Sequence, residues 1–284
     1  MSEIIYLNAS EVSIFINKNK YKDSRHLFLN ILRNQYGHLY DECVNQNVKK
    51  EVVRNINTME TINFSVDIHK KDVLELSRLK LENNISEYTS KYEDIKNKIL
   101  EDVIEIDKID NEGEKVYKNE KGMDKLHKDM VDILEERITM SAGTLSENII
   151  LNNIESNMNT QINDRNNAIK YIYIDLNDGY KLKIGGRVDG VTNGVLVEVK
   201  KRKNKLFNYI PDYEMIQVQV YLEMFNINNC IFVEEYSNNT VRYDIGRNSN
   251  EWISIKSDLI KYGNMFIDIL KDKEKMASFI HSCI

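Results

Sequence analysis

Apolar side chains recur every three or four positions between residues 8 and 36. Two series show this spacing: Val12, Phe15 and Ile16, then Leu27, Phe28, Ile31 and Leu32. Such spacing is typical of amphipathic helices, and the two series predict a short helical hairpin. Asn8 or Ser10 can cap its first helix.

A second helical pattern covers residues 70 to 109, where apolar positions alternate with charged ones. It comprises Leu81, Ile85, Tyr88, Tyr92, Ile95, Ile99 and Ile106. An amphipathic helix packed on its own domain is the first interpretation; a coiled-coil-like arm that clamps DNA or joins copies of the chain is the alternative. The charged stretch from Asp107 to Lys125 contains two glycines and predicts a solvated loop.

After residue 133 the pattern changes to a helix, then strands, a helix, strands and a final helix. Residues 171–200 predict three successive strands, with turns at Asn177-Asp178-Gly179 and Asn193-Gly194. Pro211 opens a helix, which is followed by the strands CIFVEEY and TVRYDI and a closing helix over residues 251–270. This order predicts an α/β (α+β) fold in which helices flank a central mixed sheet.

Composition limits the class of protein. The chain has 284 residues, 42% of them apolar, enough to form a globular core. Its three cysteines, Cys43, Cys230 and Cys283, lack metal-finger spacing, so we expect an intracellular, reducing compartment. No apolar run has the length of a membrane span, and the start has no secretory pattern, so we expect no membrane association or secretion.

The segment from Arg187 to Lys200 carries the most specific chemistry. If Asn193-Gly194 forms a two-residue type I′ turn, Thr192 faces Val195 and Asp189 lies directly opposite Glu198. By the same rule Arg187 faces Lys200.

Because side chains alternate along a strand, Asp189, Glu198 and Lys200 then share one sheet face. Opposed carboxylates repel each other, so a divalent cation with oxygen ligands, Mg²⁺ or Mn²⁺, fits between them. The alternative is a solvated sheet face on which Arg187 and Lys200 are ordinary salt partners.

Several motifs together resemble a known family. GRVDG, then EVK nine residues after the aspartate, then QVQVYL on a helix resemble the PD-(D/E)XK nuclease superfamily. NASEVSIFINKNKYKDSRHLF resembles the opening of the lambda-exonuclease-like, YqaJ-type viral recombinase family, and the stretch Gly143–Asn148 resembles its G-x-x-x-E helix. The resemblance covers residues 7–36 and 135–236 and implies a restriction-endonuclease-like core with a further helical N-terminal region.

The resemblance implies a metal site with defined roles. Asp189, Glu198 and the main-chain carbonyl of Val199 would bind Mg²⁺, for which Mn²⁺ would substitute. Lys200 would orient or activate the attacking water, and Gln217 would support that water or the lysine.

Further residues are implied more loosely. Glu147 would complete the metal shell, although Thr144-x-x-Glu147 also fits a capping box. Ser10 would hold a terminal 5′ phosphate, although it also fits an N-cap. The family's upstream basic residue is replaced here by Glu3-Ile4-Ile5, so Arg187 is the candidate substitute. Tyr221, one turn after Gln217, is a candidate DNA contact; the alternative is that Gln217 and Tyr221 form part of a plain polar helix surface.

Charge is distributed unevenly. The whole chain carries a formal −6, but residues 181–209 contain eight Lys or Arg and two acids, a local +6. Next to a metal site such a segment predicts a phosphate-binding patch. Its members at the patch centre are Lys201, Arg202, Lys203 and Lys205.

These observations predict a single nuclease domain over residues 1–284, with N-terminal helices at 1–40, a helical insertion or arm at 41–130 and the catalytic core at 131–284. The expected activity is Mg²⁺-dependent 5′ to 3′ exonucleolytic cleavage of duplex DNA ends in viral recombination, replication or repair. A single-strand annealing or recombination protein and further copies of the chain are candidate partners. The alternatives are a RecB-like or structure-specific endonuclease of the same fold, and a non-catalytic DNA-binding or assembly module.

Overall fold

The computed structural model describes residues 3–44, 58–110, 120–165, 169–237 and 239–283. The chain divides into two compact units. The first contains Met1–Asn45 and Ile150–Ile284, and the second contains Gln46–Ile149. Each unit is described by itself below.

The first unit begins with a strand that the helical pattern does not predict, β1 at Ile4–Asn8. A turn of 3₁₀ helix at Ala9–Glu11 leads to α1, Val12–Phe15, and then to α2, Ser24–Gln35, and α3, Gly37–Cys43. The predicted helical hairpin is therefore confirmed, and its apolar positions are buried. The cap of α2 is Asp23, whose carboxylate accepts a hydrogen bond from the Arg25 backbone N–H at 2.8 Å.

The second unit is helical. It contains α4 over 58–68, α5 at Lys70–Leu81, α6 at Ile85–Asp110 and most of α7, which spans Glu120–Met158. Ile95 and Ile99 of α6 are buried with Leu76 in one apolar core, so the first interpretation of the 70–109 pattern, packing on its own domain, is confirmed. The chain turns between α5 and α6 at Asn83, which has a left-handed φ of 57°.

The loop predicted from Asp107 to Lys125 is wrong at both ends. Residues 107–110 continue α6 and residues 120–125 belong to α7. Residues 111–119, including Gly113, lie outside the described residues. Asp124 and Lys125 were interpreted as loop here, whereas they are exposed on a helix whose apolar Leu126 is buried.

Seven strands are found among the described residues of the first unit, and they form two mixed sheets. After β1, the strands are β2 at Ile169–Asp175, β3 at Lys181–Arg187, β4 at Gly190–Thr192, β5 at Val195–Lys201, β6 at Asn229–Tyr236 and β7 at Asn239–Gly246. The first sheet has the order β1-β3-β2, with β1 and β3 parallel. The second has the order β4-β5-β6-β7, with β5 and β6 parallel. The predicted mixed α/β fold class is confirmed, with its strands in two sheets instead of one.

Three helices complete the first unit: α8 at Asp212–Phe225, α9 at Ser249–Lys271 and α10 at Lys273–Cys283. Pro211 is the N-cap of α8, as expected for a residue whose missing N–H costs nothing there. The end of α7 packs on one face of the second sheet, where Ile150 and Leu151 are buried with Val197 and Val199.

Among the described residues no helix is long and apolar enough to cross a membrane.

Candidate active site

The site is built on the hairpin between β4 and β5. Asn193 and Gly194 have left-handed φ values of 48° and 75°, as a type I′ turn requires. The register pairs Thr192 with Val195 and Gly190 with Val197. The predicted register is therefore confirmed over the length of β4.

The pairing does not extend to Asp189. The ladder ends at Gly190, and Val188 and Asp189 form a bend between β3 and β4. The predicted pairing of Arg187 with Lys200 is wrong, because Arg187 pairs with Ile169 in the other sheet. The physical reason is that the chain leaves one sheet and enters the other at this bend.

Asp189 still reaches β5. Its Oδ2 accepts a hydrogen bond from the backbone N–H of Val199 at 2.7 Å. The Asp189 carboxylate thus lies at the edge of β5 beyond the point where the pairing with β4 ends. Since the N–H and C=O of one strand residue point to the same side, the Val199 carbonyl faces this edge as well.

Glu198 is the buried centre of the site, with 3% of the residue exposed. Its Oε1 accepts hydrogen bonds from Lys200 Nζ at 2.7 Å and from Gln217 Nε2 at 3.3 Å. Its Oε2 is buried and has no hydrogen-bond partner among the described residues. Oε1 of this carboxylate is therefore hydrogen-bonded within the protein, whereas Oε2 has no such partner among the described residues.

Helix α8 supplies the other wall of the site. Gln217 Nε2 also donates to the hydroxyl of Tyr221 at 3.0 Å, so one helical face carries both side chains toward Glu198. The ring of Tyr221 lies against Gly186 of β3, where an added Cβ would come within 2.6 Å of its Cε1. Glycine at this position is therefore what allows α8 to approach the end of β3. The interpretation of Gln217 and Tyr221 as plain surface is wrong, since Tyr221 is 6% exposed.

Burial and charge act on the acids together. Burial raises the pKa of Glu198, the neighbouring Asp189 raises it further, and Lys200 opposes both. Burial alone would lower the pKa of Lys200, but Glu198 and Asp189 raise it above its usual range. Lys200 is thus held as an ammonium beside the carboxyl groups of Glu198 and Asp189.

These groups include the oxygen ligands that a divalent cation prefers, but they do not surround it with side-chain ligands alone. Among the described residues, no three His, Cys, Asp or Glu side chains converge where they could hold a metal ion. Asp189, the unpartnered Oε2 of Glu198 and the Val199 carbonyl are all oxygen donors, and Asp189 bonds the backbone of the residue next to Glu198. Mg²⁺ accepts such a set, because it keeps several waters and needs only one or two carboxylates.

Glu147 lies inside α7, 27 residues after its start at Glu120. The capping-box interpretation is therefore wrong: Thr144 is also within the helix, and its hydroxyl donates to the Met140 carbonyl at 3.3 Å. Glu147 belongs to the second unit, and its role as a metal ligand stays a prediction.

Ser10 is exposed in the 3₁₀ turn after β1. The preceding residue, Ala9, lies beside Gly186, where an added Cβ would be 3.0 Å from the Ala9 Cβ. The turn is therefore adjacent to the part of β3 that Tyr221 covers. The role of Ser10 in phosphate binding stays a prediction.

The basic segment separates into exposed and paired residues. Arg187, Lys203 and Lys205 are exposed, and Lys201 pairs with Glu235 of β6. Arg202 is not brought into the surface patch, because its side chain is only 8% exposed.

The guanidinium of Arg202 is held by two buried carboxylates that the sequence analysis does not identify. It forms a bidentate pair with Glu214 at 2.6 and 2.8 Å and bonds Glu234 at 2.8 Å. Glu234 also accepts the backbone N–H groups of Phe207 and Asn208, which lie in the loop after β5. The available signal was the pair of acids in the otherwise apolar strand CIFVEEY, because buried charges require a partner.

Comparisons with known proteins give distant structural similarity. No family model and no curated protein matches the chain. The crystal structure of SSO0001 matches with a TM-score of 0.35 and 19% identity over 45% of this chain and 64% of its own length, which is less than two thirds. The LHK-Exo structure in complex with dAMP matches with a TM-score of 0.38 and 14% identity over 50% of this chain and 74% of that one. The alkaline exonuclease LHK-Exo from Laribacter hongkongensis, in a further structure, gives 0.37 and 14% over 50% and 75%.

Proposed function

We propose that this protein is a Mg²⁺-dependent deoxyribonuclease of the PD-(D/E)XK superfamily, and that it acts as a 5′ to 3′ exonuclease on duplex ends. The proposal rests on one arrangement: Asp189 bonds the backbone of Val199 in β5, and the adjacent Glu198 bonds both Lys200 and Gln217. These four side chains belong to the residues that the sequence motif assigns to catalysis.

The main support for the proposal is Glu198 Oε2, a buried oxygen that has no hydrogen-bond partner among the described residues. A buried polar atom without a partner costs free energy, about 1–3 kcal/mol or more for a charged group. Oε2 is such an atom among the described residues, and a second carboxylate, Asp189, lies across the neighbouring Val199 backbone. A cation held by Asp189, Glu198 and the Val199 carbonyl would remove this cost, with Glu147 as the proposed further ligand.

When bound there, Mg²⁺ or Mn²⁺ supplies a lowered pKa for water and positive charge beside the phosphate. Lys200 keeps its proton and donates hydrogen bonds from the same strand face. Gln217 donates a hydrogen bond to Glu198 Oε1 from α8, while Oε2 has no hydrogen-bond partner among the described residues. The lysine and the glutamine thus hold Glu198 through one oxygen and leave the other for the cation.

Substrate binding is assigned to the exposed basic residues near the site. Arg187, Lys203 and Lys205 are exposed, and the resemblance gives Ser10 a part in holding a 5′ phosphate. Phosphates attract Lys and Arg through counterion release, so this binding would weaken steeply with salt. A role in viral recombination, replication or repair beside an annealing protein follows from the same proposal.

The test is cleavage of end-labelled linear duplex DNA with and without Mg²⁺, comparing 5′-phosphorylated with 5′-hydroxyl ends. We expect metal-dependent release of nucleotides from 5′ ends, lost at least about a hundredfold in Asp189→Asn, Glu198→Gln and Lys200→Met. Gln217→Ala should lose about 10- to 100-fold. Asp258→Asn, in a surface ion pair with Lys18, is the matched control.

Thermal unfolding in the absence of metal checks that each variant is folded. Full activity in any folded variant of the two acids or Lys200 would contradict the assignment. Absence of metal-stimulated cleavage on any nucleic acid would instead favour the non-catalytic DNA-binding module.

The endonuclease alternative is supported by the Gln217–Tyr221 hydrogen bond, because the Gln-x-x-x-Tyr pattern also fits the RecB-like branch. Covalently closed circular DNA distinguishes the two activities. An exonuclease leaves it intact, whereas an endonuclease linearises it.

A further inference from the structure

The first sheet has one buried face and one exposed face. Ile5, Leu7, Leu182 and Ile184 are completely buried on the inner side. The register places the alternate residues of all three strands on the outer side. These are Ile4, Tyr6 and Asn8 of β1, Lys181, Lys183, Gly185 and Arg187 of β3, and Ile169, Tyr171, Tyr173 and Asp175 of β2. We call this set the tyrosine face.

The tyrosine face exposes large side chains to an unusual extent. Tyr6 is 37% exposed, Tyr171 is 42% and Tyr173 is 56%, and the two isoleucines at its ends are exposed as well. Single exposed apolar residues are ordinary, but a contiguous group indicates an interaction surface. Nothing in the packing of the inner core requires aromatic rings on this side of the sheet.

The side chains of Tyr6 and Tyr171 lie over Gly185, at the centre of the face. An added Cβ at Gly185 would lie 2.7 Å from the Tyr6 hydroxyl and 2.8 Å from Cε1 of Tyr171. Glycine therefore lets both side chains lie low over β3. Lys183, two residues earlier, is paired in register with both Tyr6 and Tyr173, and its Nζ lies 4.2 Å from the centroid of the Tyr171 ring.

The charge of the face is positive in an acidic protein. β3, its central strand, presents three cations: Lys181 and Lys183 are about 6.6 Å apart along the strand, and Arg187 follows about 13 Å beyond Lys183. Asp175 is the one carboxylate among the residues of the face, and it pairs with Lys181 at 3.0 Å. The face thus carries a net +2 while the whole chain carries −6. This balance favours a polyanion over an acidic or neutral protein surface.

We propose that the tyrosine face binds single-stranded DNA, with bases stacked on Tyr171 and Tyr173 and phosphates beside Lys183 and Arg187. Aromatic platforms with interleaved cations are the shared chemistry of single-strand binding, because every base offers a ring face. A duplex keeps its bases stacked internally and offers only its phosphates. The proposal concerns binding and stands independently of the proposed cleavage.

The experiment measures fluorescence anisotropy of a labelled oligothymidylate of about 16 nucleotides with the full chain in EDTA, so that no cleavage occurs. We expect Tyr171→Ala and Tyr173→Ala each to weaken binding about tenfold or more, and Tyr171→Phe and Tyr173→Phe to bind within about twofold of the wild type. Phe64→Ala, an aromatic residue 61% exposed in the second unit, is the matched control.

Salt titration tests the cations separately. Lys183→Gln and Arg187→Gln should each reduce the slope of log affinity against log salt by about 0.7, the value for single strands. An intact circular dichroism spectrum and the phenylalanine variants separate loss of binding from loss of folding.

Three results would overturn the proposal. The first is wild-type affinity in both alanine variants. The second is equal loss of affinity for a duplex of the same length, which would indicate a general electrostatic effect. The third is a change in sedimentation of the free protein on Tyr173→Ala, which would assign the face to contact between copies of the chain. A cleavage-inactive protein that still binds through this face would contradict the proposed nuclease activity alone.

Discussion

Replacing Arg202 tests whether this residue braces the fold or contacts DNA. Arg202→Met leaves Glu214 and Glu234, both buried, without their shared cation. Removing one partner of a buried ion pair costs about 3–5 kcal/mol, because the remaining charge stays buried. Glu234 keeps the N–H groups of Phe207 and Asn208 as donors, so the low end, about 3 kcal/mol, is expected here.

The measurement is urea denaturation of the wild type and the variant. For a chain of this size a loss of about 3 kcal/mol corresponds to roughly 6–12 °C in melting temperature. Adding Glu214→Leu to Arg202→Met should recover most of the loss, since a buried ion pair replaced by apolar residues is often neutral or stabilising. Lys203→Met, at the exposed neighbouring position, is the matched control and should leave the stability unchanged within about 0.5 kcal/mol.

If Arg202 is a buried ion-pair partner, DNA binding should depend on Lys203 and not on Arg202, the reverse of the effect on stability. Lys203→Met should reduce the salt slope of duplex binding in EDTA by about 0.9, whereas Arg202→Met, measured under conditions where it is folded, should leave the slope unchanged. The reasoning is refuted if Arg202→Met has wild-type stability and a reduced salt slope. That result would place the guanidinium at the DNA surface.

Two further predictions concern packing and pH. Gly186→Ala puts a Cβ within 2.6 Å of the Tyr221 ring and should lower the free energy of unfolding by about 1–3 kcal/mol and reduce cleavage, while Gly37→Ala, with open space around it, should do neither. Burial alone would raise the pKa of Glu234, but Arg202 and two backbone N–H groups hold it below its ordinary 4.5, so its stabilisation is present above that pH and is lost as the pH falls through the lowered value. Chemical denaturation between pH 6 and about pH 3 should therefore show a smaller acid-induced loss in Glu234→Gln than in the wild type.

Local patterns account well for the hairpin and the helices. Asn193-Gly194 determines the turn and hence the register of β4 and β5, because few residue pairs accept two consecutive left-handed conformations. The apolar spacing of α2 and the proline before α8 predict elements that the structure contains. The charged residues at 107–110 and 120–125 were misleading, because a long helix can carry many charged residues and still have one buried side.

For the candidate site, the sequence predicted the residues but not their arrangement. The order of Asp189, Glu198, Lys200 and Gln217 along the chain was enough to select them, and the structure brings them together. Their geometry was not predictable. Asp189 leaves the ladder and bonds the Val199 backbone, because β3 and β4 belong to different sheets.

The sequence alone determined what depends on neighbours within a few residues: the turn, the alternation of faces along each strand, the start of α8 after Pro211 and the chemistry of the motif. The tertiary structure decided what depends on contacts between distant segments. It buried Arg202 between carboxylates from α8 and β6, brought α8 against Gly186, and left three tyrosines together on one exposed sheet face. The reason is physical: a charge count treats every lysine and arginine alike, whereas burial and pairing separate the cations that are paired inside the fold from those that are exposed on its surface.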